Sequence, residues 1–291
     1  HFVKTVHNGI EYADMQMIAE VYGLLRDAGG QTAPQIGALF ESWQKGPLSS
    51  YLIEVSAAAL QTVDAESGTP MVDLILDKAG QKGTGRWTLI EALKLGQSAS
   101  SIEAAVGARG WSSEKALRVA AAPLLPDAVT GGTLPTEDEM KSALLAARIL
   151  GHAQGFRVLS AASDEFGWQL DMARIAEIWR AGCIIRSALL DDLADAFHAG
   201  LPEGALILAP AIRDMLGDHL AGLRKTVAAG VSLGVPMPAL SASLAWYDSI
   251  RTARGSANLI QAQRDFFGAH GFERGDIAGA HHGTWNAIRR D

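Results

Sequence analysis

The chain has 291 residues and carries 25 basic against 32 acidic side chains, a net charge of −7. A chain of that length buries a core that needs no cross-links, and its one cysteine, Cys183, allows neither an intrachain disulfide nor a thiolate-bound zinc or iron–sulfur cluster. The acidic balance argues against nucleic acid or an anionic membrane as partner, 48% hydrophobic with 20% charged residues reads as globular, and no apolar run of about 18 residues offers a bilayer span. No basic-then-apolar leader opens the chain, so a reducing, cytoplasmic setting is the expectation.

Helical periodicity runs over 6–28, with apolar residues at Val6, Ile10, Met17, Ile18, Val21, Leu24 and Leu25 and a stop at Gly29-Gly30. A second helix opens at Thr32-Ala33-Pro34-Gln35, where Thr32 caps and Gln35 answers three residues on. A third covers 49–60, and 72–76 is ambiguous between strand and helix. Thr136-Glu137-Asp138-Glu139 is another capping box, opening a helix through Leu144 and Ile149. Residues 172–196 read as one long buried helix, 210–227 as another, and 238–252 and 258–267 follow. Strand-type alternation is nearly absent, so the fold class predicted is all-α, a large multi-helix domain. Beyond Arg254 one helix leads into Gly- and His-rich sequence. The expected division is therefore a helical domain at 1–254 and a C-terminal helix and tail at 255–291, which has no core of its own and docks elsewhere. Ile18-Ala19-Glu20-Val21-Tyr22 is echoed faintly by Ile175-Ala176-Glu177-Ile178-Trp179, which helix-favouring residues explain as well as duplication does.

Four places carry chemistry. On a helix, Lys4, His7, Asn8, Glu11 and Tyr12 share one face over two turns. Burial lowers a Lys pKa and raises a Glu pKa, so such a pair can exchange protons, while His and Asn orient a polyhydroxy substrate. The same spacing also describes an ordinary solvated face. His7 and Glu11 at i and i+4 suggest a metal, but a second His at that spacing and a third ligand are lacking. The second place, residues 77–87, holds Gly80, Gly83 and Gly85 with Lys78, Lys82, Thr84 and Arg86, which suits an anion or a plain flexible turn. Gly80 and Gly85 have phosphate-loop spacing, but Arg86-Trp87 replaces the required Lys-Ser/Thr, which argues against a nucleotide triphosphatase. The third is Arg109, read as a loop residue that matters only if it converges on the same anion. The fourth is Arg264 and His270, with His281 and His282 beyond, which either join a site or cap a helix end. Gly230-Val231-Ser232-Leu233-Gly234 fits a hydrolase nucleophile pattern, but a helical run precedes it where a strand is required, so it reads as a helix C-cap and loop.

In order along the chain, 1–12, 50–54, 76–85, 153–156, 179–187 and 258–270 resemble the C-terminal helical domain of the 6-phosphogluconate dehydrogenase family. The resemblance implies oxidative decarboxylation of 6-phosphogluconate to ribulose 5-phosphate and CO2 with reduction of NADP, or possibly NAD, a step of the pentose phosphate pathway and of gluconate utilization. It implies Lys4 as general base on the 3-hydroxyl, Glu11 as the acid that protonates C1, and His7 and Asn8 as holders of the sugar acid. It implies that Tyr12, Lys82, Thr84 and Arg109 grip the 6-phosphate and that Ile184 lines the pocket. It further implies a homodimer with tail exchange, in which Arg264 and His270 reach the partner subunit's site, and a mechanism without a metal.

The pattern also departs from the family. Arg86 stands where Lys is expected, Gly271 where Thr is expected, and the surroundings of Arg109 diverge most. No Gly-x-Gly-x-x-Gly following a strand occurs, and the chain opens on His1 in what reads as the inside of an element. The expectation is that it begins within a longer protein, that a nucleotide-binding domain lying outside it holds the cofactor, and that this chain alone is inactive. Two other readings compete: a non-catalytic helical dimerisation module, and another β-hydroxyacid dehydrogenase.

Overall fold

The computed structural model describes residues 1–127 and 129–285. The all-α expectation holds: helices dominate, and the only strands among the described residues are β1 (Phe272–Glu273) and β2 (Ala280–His281), an antiparallel pair. The chain forms two compact units, His1–Trp246 and Tyr247–Asp291. Among the described residues no helix is long and apolar enough to cross a membrane.

The first unit is built on α1 (Phe2–Gly23) and α8 (Glu137–Phe166). α1 runs into a π-helical turn, Leu24–Ala28, before the Gly29-Gly30 stop. The Thr136 capping box opens α8, with the Glu139 N–H donating to Thr136 Oγ1 at 3.2 Å and the Thr136 N–H to Glu139 Oε2 at 2.9 Å. From Met140 to Phe156 almost every residue of α8 is buried, as a helix apolar on all sides must be. Glycines let the two helices meet closely. A Cβ at Gly155 would stand 2.5 Å from Ile10 Cδ1, and Gly151 lies against Met17 and Ala13, so the helices run antiparallel. α11 (Pro210–Leu233) covers the other flank of α8, with Gly222 against Glu139 and Ser142.

Two polar ties fix this core. Arg148 Nε lies 2.8 Å from Asp14 Oδ1, both side chains almost fully buried. Burial pushes the Asp14 carboxyl above its ordinary range, and the Arg148 charge pulls it back. Glu20 reaches the first turn of α12 (Pro238–Ile250), accepting the Ala239 N–H at 2.8 Å and the Leu240 N–H at 2.9 Å. Burial raises Glu20 to about 7, against those N–H groups and Gln16, so a carboxyl of α1 serves as a cap at the α12 N-terminus.

Each long helix is followed by a helical hairpin. α2 (Ala33–Trp43) and α3 (Tyr51–Gln61) follow α1; α9 (Met172–Arg180) and α10 (Leu189–Ala199) follow α8. The hairpin loops pair through an antiparallel bridge, Ser50 to Ser187, with the Tyr51 N–H donating to Arg186 O and the Ala188 N–H to Ser49 O. The repeat is therefore α1-α2-α3 against α8-α9-α10. The echo between 18–22 and 175–179 falls on α1 and α9, which are not equivalent.

The expected long helix over 172–196 is broken at 181–188. Apolar periodicity continues across the break, but the backbone there is spent on the bridge to Ser49–Tyr51 and on the Gly182 turn. The ambiguous stretch near 72 is a short helix, α4 (Met71–Leu74). α11 persists through Ser232 to Leu233 and ends at Gly234, whose φ of +70° suits a left-handed cap, so no nucleophile elbow forms.

Replacing Asp14 by Ala strands a buried guanidinium and is expected to cost about 3–5 kcal/mol in urea unfolding. The double replacement Asp14→Leu with Arg148→Met is expected to recover most of that loss.

Candidate active site

The N-terminal half of α1 presents Lys4, His7, Asn8, Glu11 and Tyr12 together, as the wheel requires. His7 Nδ1 lies 3.3 Å from Lys4 Nζ, 3.0 Å from Asn8 Oδ1 and 4.0 Å from Glu11 Oε2. Its ring is 1% exposed, and Nε2 is buried without a hydrogen-bond partner among the described residues. Burial, helped by the charges of Lys4 and His152 and opposed by the Asn8 bond, lowers the His7 pKa to about 4. At neutral pH it is therefore an uncharged imidazole beside Lys4. Half-burial raises Glu11 above the ordinary carboxylate range, while the Lys4 and Arg109 charges pull it down. A carboxyl so placed can hold a proton for delivery.

α5 (Thr84–Lys94) butts its first turn onto this face. Two glycines permit the approach: a Cβ on Gly85 would lie 2.7 Å from Tyr12 Cδ1, and one on Gly9 would lie 2.6 Å from Thr88 Cγ2. Thr88 Oγ1 donates to Thr5 O at 2.7 Å and locks the contact. Gly83, with φ +93°, turns the chain into the helix, so Thr84 stands at its first position. Free N–H groups at such an end favour an anion. Arg109 sits on α6 (Ser100–Ser113), not in a loop, and its guanidinium lies 3.4 Å from the Tyr12 ring centroid with Nη1 donating to Gly80 O. Tyr12, Thr84 and Arg109 thus converge. Lys82, exposed in the loop ahead of α5, makes no ion pair among the described residues and can add its charge there.

Ile184 stands in the 181–188 loop, half-exposed, beside Cys183. Burial pushes the Cys183 thiol up, and the nearby Lys4 charge opposes it. Trp179, near the end of α9, meets the His7 ring edge-on at 5.5 Å. Arg264 and His270 belong to the C-terminal unit. There Arg264 is exposed on α13 (Ala257–Gly268), donating to Gln261 Oε1 at 2.8 Å, and His270 is exposed just past the helix end.

Sequence reasoning missed the residues that hold the loop ahead of α5. Asp77 pairs with Lys115 at 2.5 Å and with Arg118 at 2.7 Å; Arg118 also donates to Asp77 O and Ser112 O. These two cations hold the Asp77 carboxyl well below its usual range. Ser112 Oγ accepts the Ala79 N–H at 2.9 Å. These partners lie more than thirty residues apart, where no local pattern connects them. Gln154 fixes α6 by accepting the Ser101 N–H at 2.9 Å, and Ser101 Oγ meets Ser243 Oγ at 2.8 Å.

An all-α domain in which a face bearing Lys4, His7, Asn8 and Glu11 stands beside a helix N-terminus is the class this geometry defines. A family model described as "6-phosphogluconate dehydrogenase, C-terminal domain" matches residues 1–285, and the chain belongs to that family. It is 45% identical over 288 residues to the decarboxylating 6-phosphogluconate dehydrogenase of Escherichia coli, covering 98% of this chain and 61% of that protein. Two Bacillus subtilis relatives are 42% and 44% identical, named NAD(+)-dependent and NADP(+)-dependent respectively; each match covers 98% of this chain and 62% of the relative. The chain thus spans about 62% of the length of these relatives. A solved structure of Plasmodium falciparum 6-phosphogluconate dehydrogenase superposes with a TM-score of 0.93 at 38% identity, over 98% of this chain and 62% of that one.

A ring titration by NMR is expected to place His7 near 4, so that it stays neutral through pH 6. Because the folded pKa lies below the unfolded value of 6.5, the stability His7 contributes is complete above pH 6.5 and is lost as pH falls toward 4. A midpoint near 6.5 in the folded protein would contradict the buried, neutral assignment.

Proposed function

We propose that this chain is the substrate-binding part of a decarboxylating 6-phosphogluconate dehydrogenase. The observation that carries the reading is the meeting of the Lys4–Glu11 face with the first turn of α5: proton-handling groups stand beside a place for a phosphate dianion. Lys4 takes the proton of the substrate 3-hydroxyl. Glu11 delivers a proton to C1 once CO2 has left. His7 stays neutral and adds no second charge beside Lys4; with Asn8 it orients the sugar acid. Tyr12, Lys82, Thr84 and Arg109 hold the 6-phosphate, and Ile184 closes the pocket wall.

The cofactor of the reading is NADP, with NAD as its alternative; relatives named for each are almost equally similar to this chain. The described residues offer no strand, Gly-rich turn and helix in succession to cradle a dinucleotide pyrophosphate, so the residues present do not fit that group and no step is assigned through it. The reading places the cofactor chiefly on a domain outside these residues, and a homodimer with exchanged tails, in the cytoplasm, completes it.

Titration calorimetry of this chain with 6-phosphogluconate and with gluconate tests the phosphate grip. Binding of the phosphorylated sugar only, weakened about tenfold or more by Lys82→Ala, is the expected result. Equal binding of both sugars would refute it. In the full-length protein, Lys4→Met is expected to lower kcat by about 10²–10⁴ with little change in substrate affinity. The 291-residue chain alone is expected to show no NADP reduction, and normal turnover by it would overturn the assignment of the cofactor to another domain.

A further inference from the structure

The C-terminal unit has one buried residue on its helix. On α13 that residue is Asp265, whose side chain is 1% exposed. Four donors converge on its carboxylate. Oδ1 accepts the Gly271 N–H at 2.9 Å and lies 2.6 Å from His282 Nδ1; Oδ2 accepts the Gly283 N–H at 2.8 Å and the Trp285 indole N–H at 2.7 Å. Gly271 precedes β1, and His282 and Gly283 follow β2, so one carboxylate clamps both ends of the small hairpin to α13. The rest of α13 is exposed or half-exposed, and beside the clamp the Phe266 and Phe272 rings meet Trp285 at 6.3 and 6.5 Å.

The clamp governs the segment that carries His270. Between the helix end and β1 the chain passes through Ala269, at φ +49°, then His270, then Gly271, at φ +73°. Left-handed backbone at a residue with a Cβ is held by its surroundings rather than by preference. The Ala269 N–H donates to the Asp265 carbonyl at 2.9 Å while the Asp265 carboxylate takes the next-but-one N–H, of Gly271, so Asp265 holds both sides of His270. The His270 ring lies against Gly268, where a Cβ would come within 2.5 Å of Nε2, and stands edge-on to Phe267. Arg264 is the residue immediately before the clamp.

We propose that Asp265 is the positioning residue of this unit: by fixing the Ala269–Gly271 turn and the hairpin, it sets the orientation in which His270 is presented to substrate. This rests on the reading that His270 reaches the substrate site of the partner subunit. All four partners are donors. An Asn at 265 can accept from one pair only, because its NH2 then faces two N–H groups.

The test is Asp265→Asn in the full-length protein, beside Trp285→Phe, which deletes a single donor and keeps a ring, and His270→Asn. For Asp265→Asn the expected result is a rise of about tenfold or more in KM for 6-phosphogluconate with kcat changed less than about threefold, and loss of the hydrogen-bonded shift of the Trp285 indole proton in NMR. Trp285→Phe is expected to raise KM by a smaller factor, and it carries the test should Asp265→Asn not fold. If His270→Asn raises KM while Asp265→Asn and Trp285→Phe leave it unchanged, the positioning role is refuted and the reading of His270 as a substrate-binding residue stands. If His270→Asn has no effect, the reading of His270 as a substrate-binding residue fails and the positioning role fails with it.

Discussion

The Asp14–Arg148 ion pair sets the register of α1 on α8, and the site depends on that register. Two charges withdrawn from water leave little freedom to slide, because any displacement strands both. With the pair in place, Gly151 and Gly155 fall opposite Met17 and Ile10, and the apolar side of α1 closes on α8. The side of α1 that remains is the one bearing Lys4, Asn8 and Glu11. The proposed acid/base groups thus occupy the part of a core helix that packing leaves over.

The placing of α5 is a second consequence of close packing. α5 can bring its N-terminus to Tyr12 only because Gly9 and Gly85 lack side chains where the helices touch. Arg109 then reaches the Tyr12 ring from α6, and α6 is itself tied to α8 and α12 through Gln154, Ser101 and Ser243. Gln154 lies in one of the segments that carried the family resemblance, and its part here is to hold the helix that bears Arg109.

Much of this was legible in the sequence. The capping boxes at Thr32 and Thr136 are local signals and stand where the chain placed them. The shared face of Lys4, His7, Asn8, Glu11 and Tyr12 follows from helical geometry alone. What the sequence could not show depends on distant partners. The Asp77 clamp by Lys115 and Arg118, the Glu20 cap on α12 and the Asp265 hub each join residues with no common local pattern. The break at 181–188 was hidden because Ile184, Ile185, Leu189 and Leu190 continue the apolar rhythm across it. The lesson of Arg109 is similar: it reads as a loop residue, yet it lies within α6, which accommodates Gly107 and Gly110 on either side of it.

The two long helices that head the repeat have divided their duties. α8 is enclosed by protein over most of its length and contributes cohesion, whereas α1 keeps Lys4 exposed and Asn8 and Glu11 half-exposed. A lone helix asked to do both would have to trade apolar area for polar groups. Because α8 supplies the cohesion, substitutions on the open face of α1 leave the scaffold beneath it in shape. The polar face of α1 can thus change without first redesigning the core.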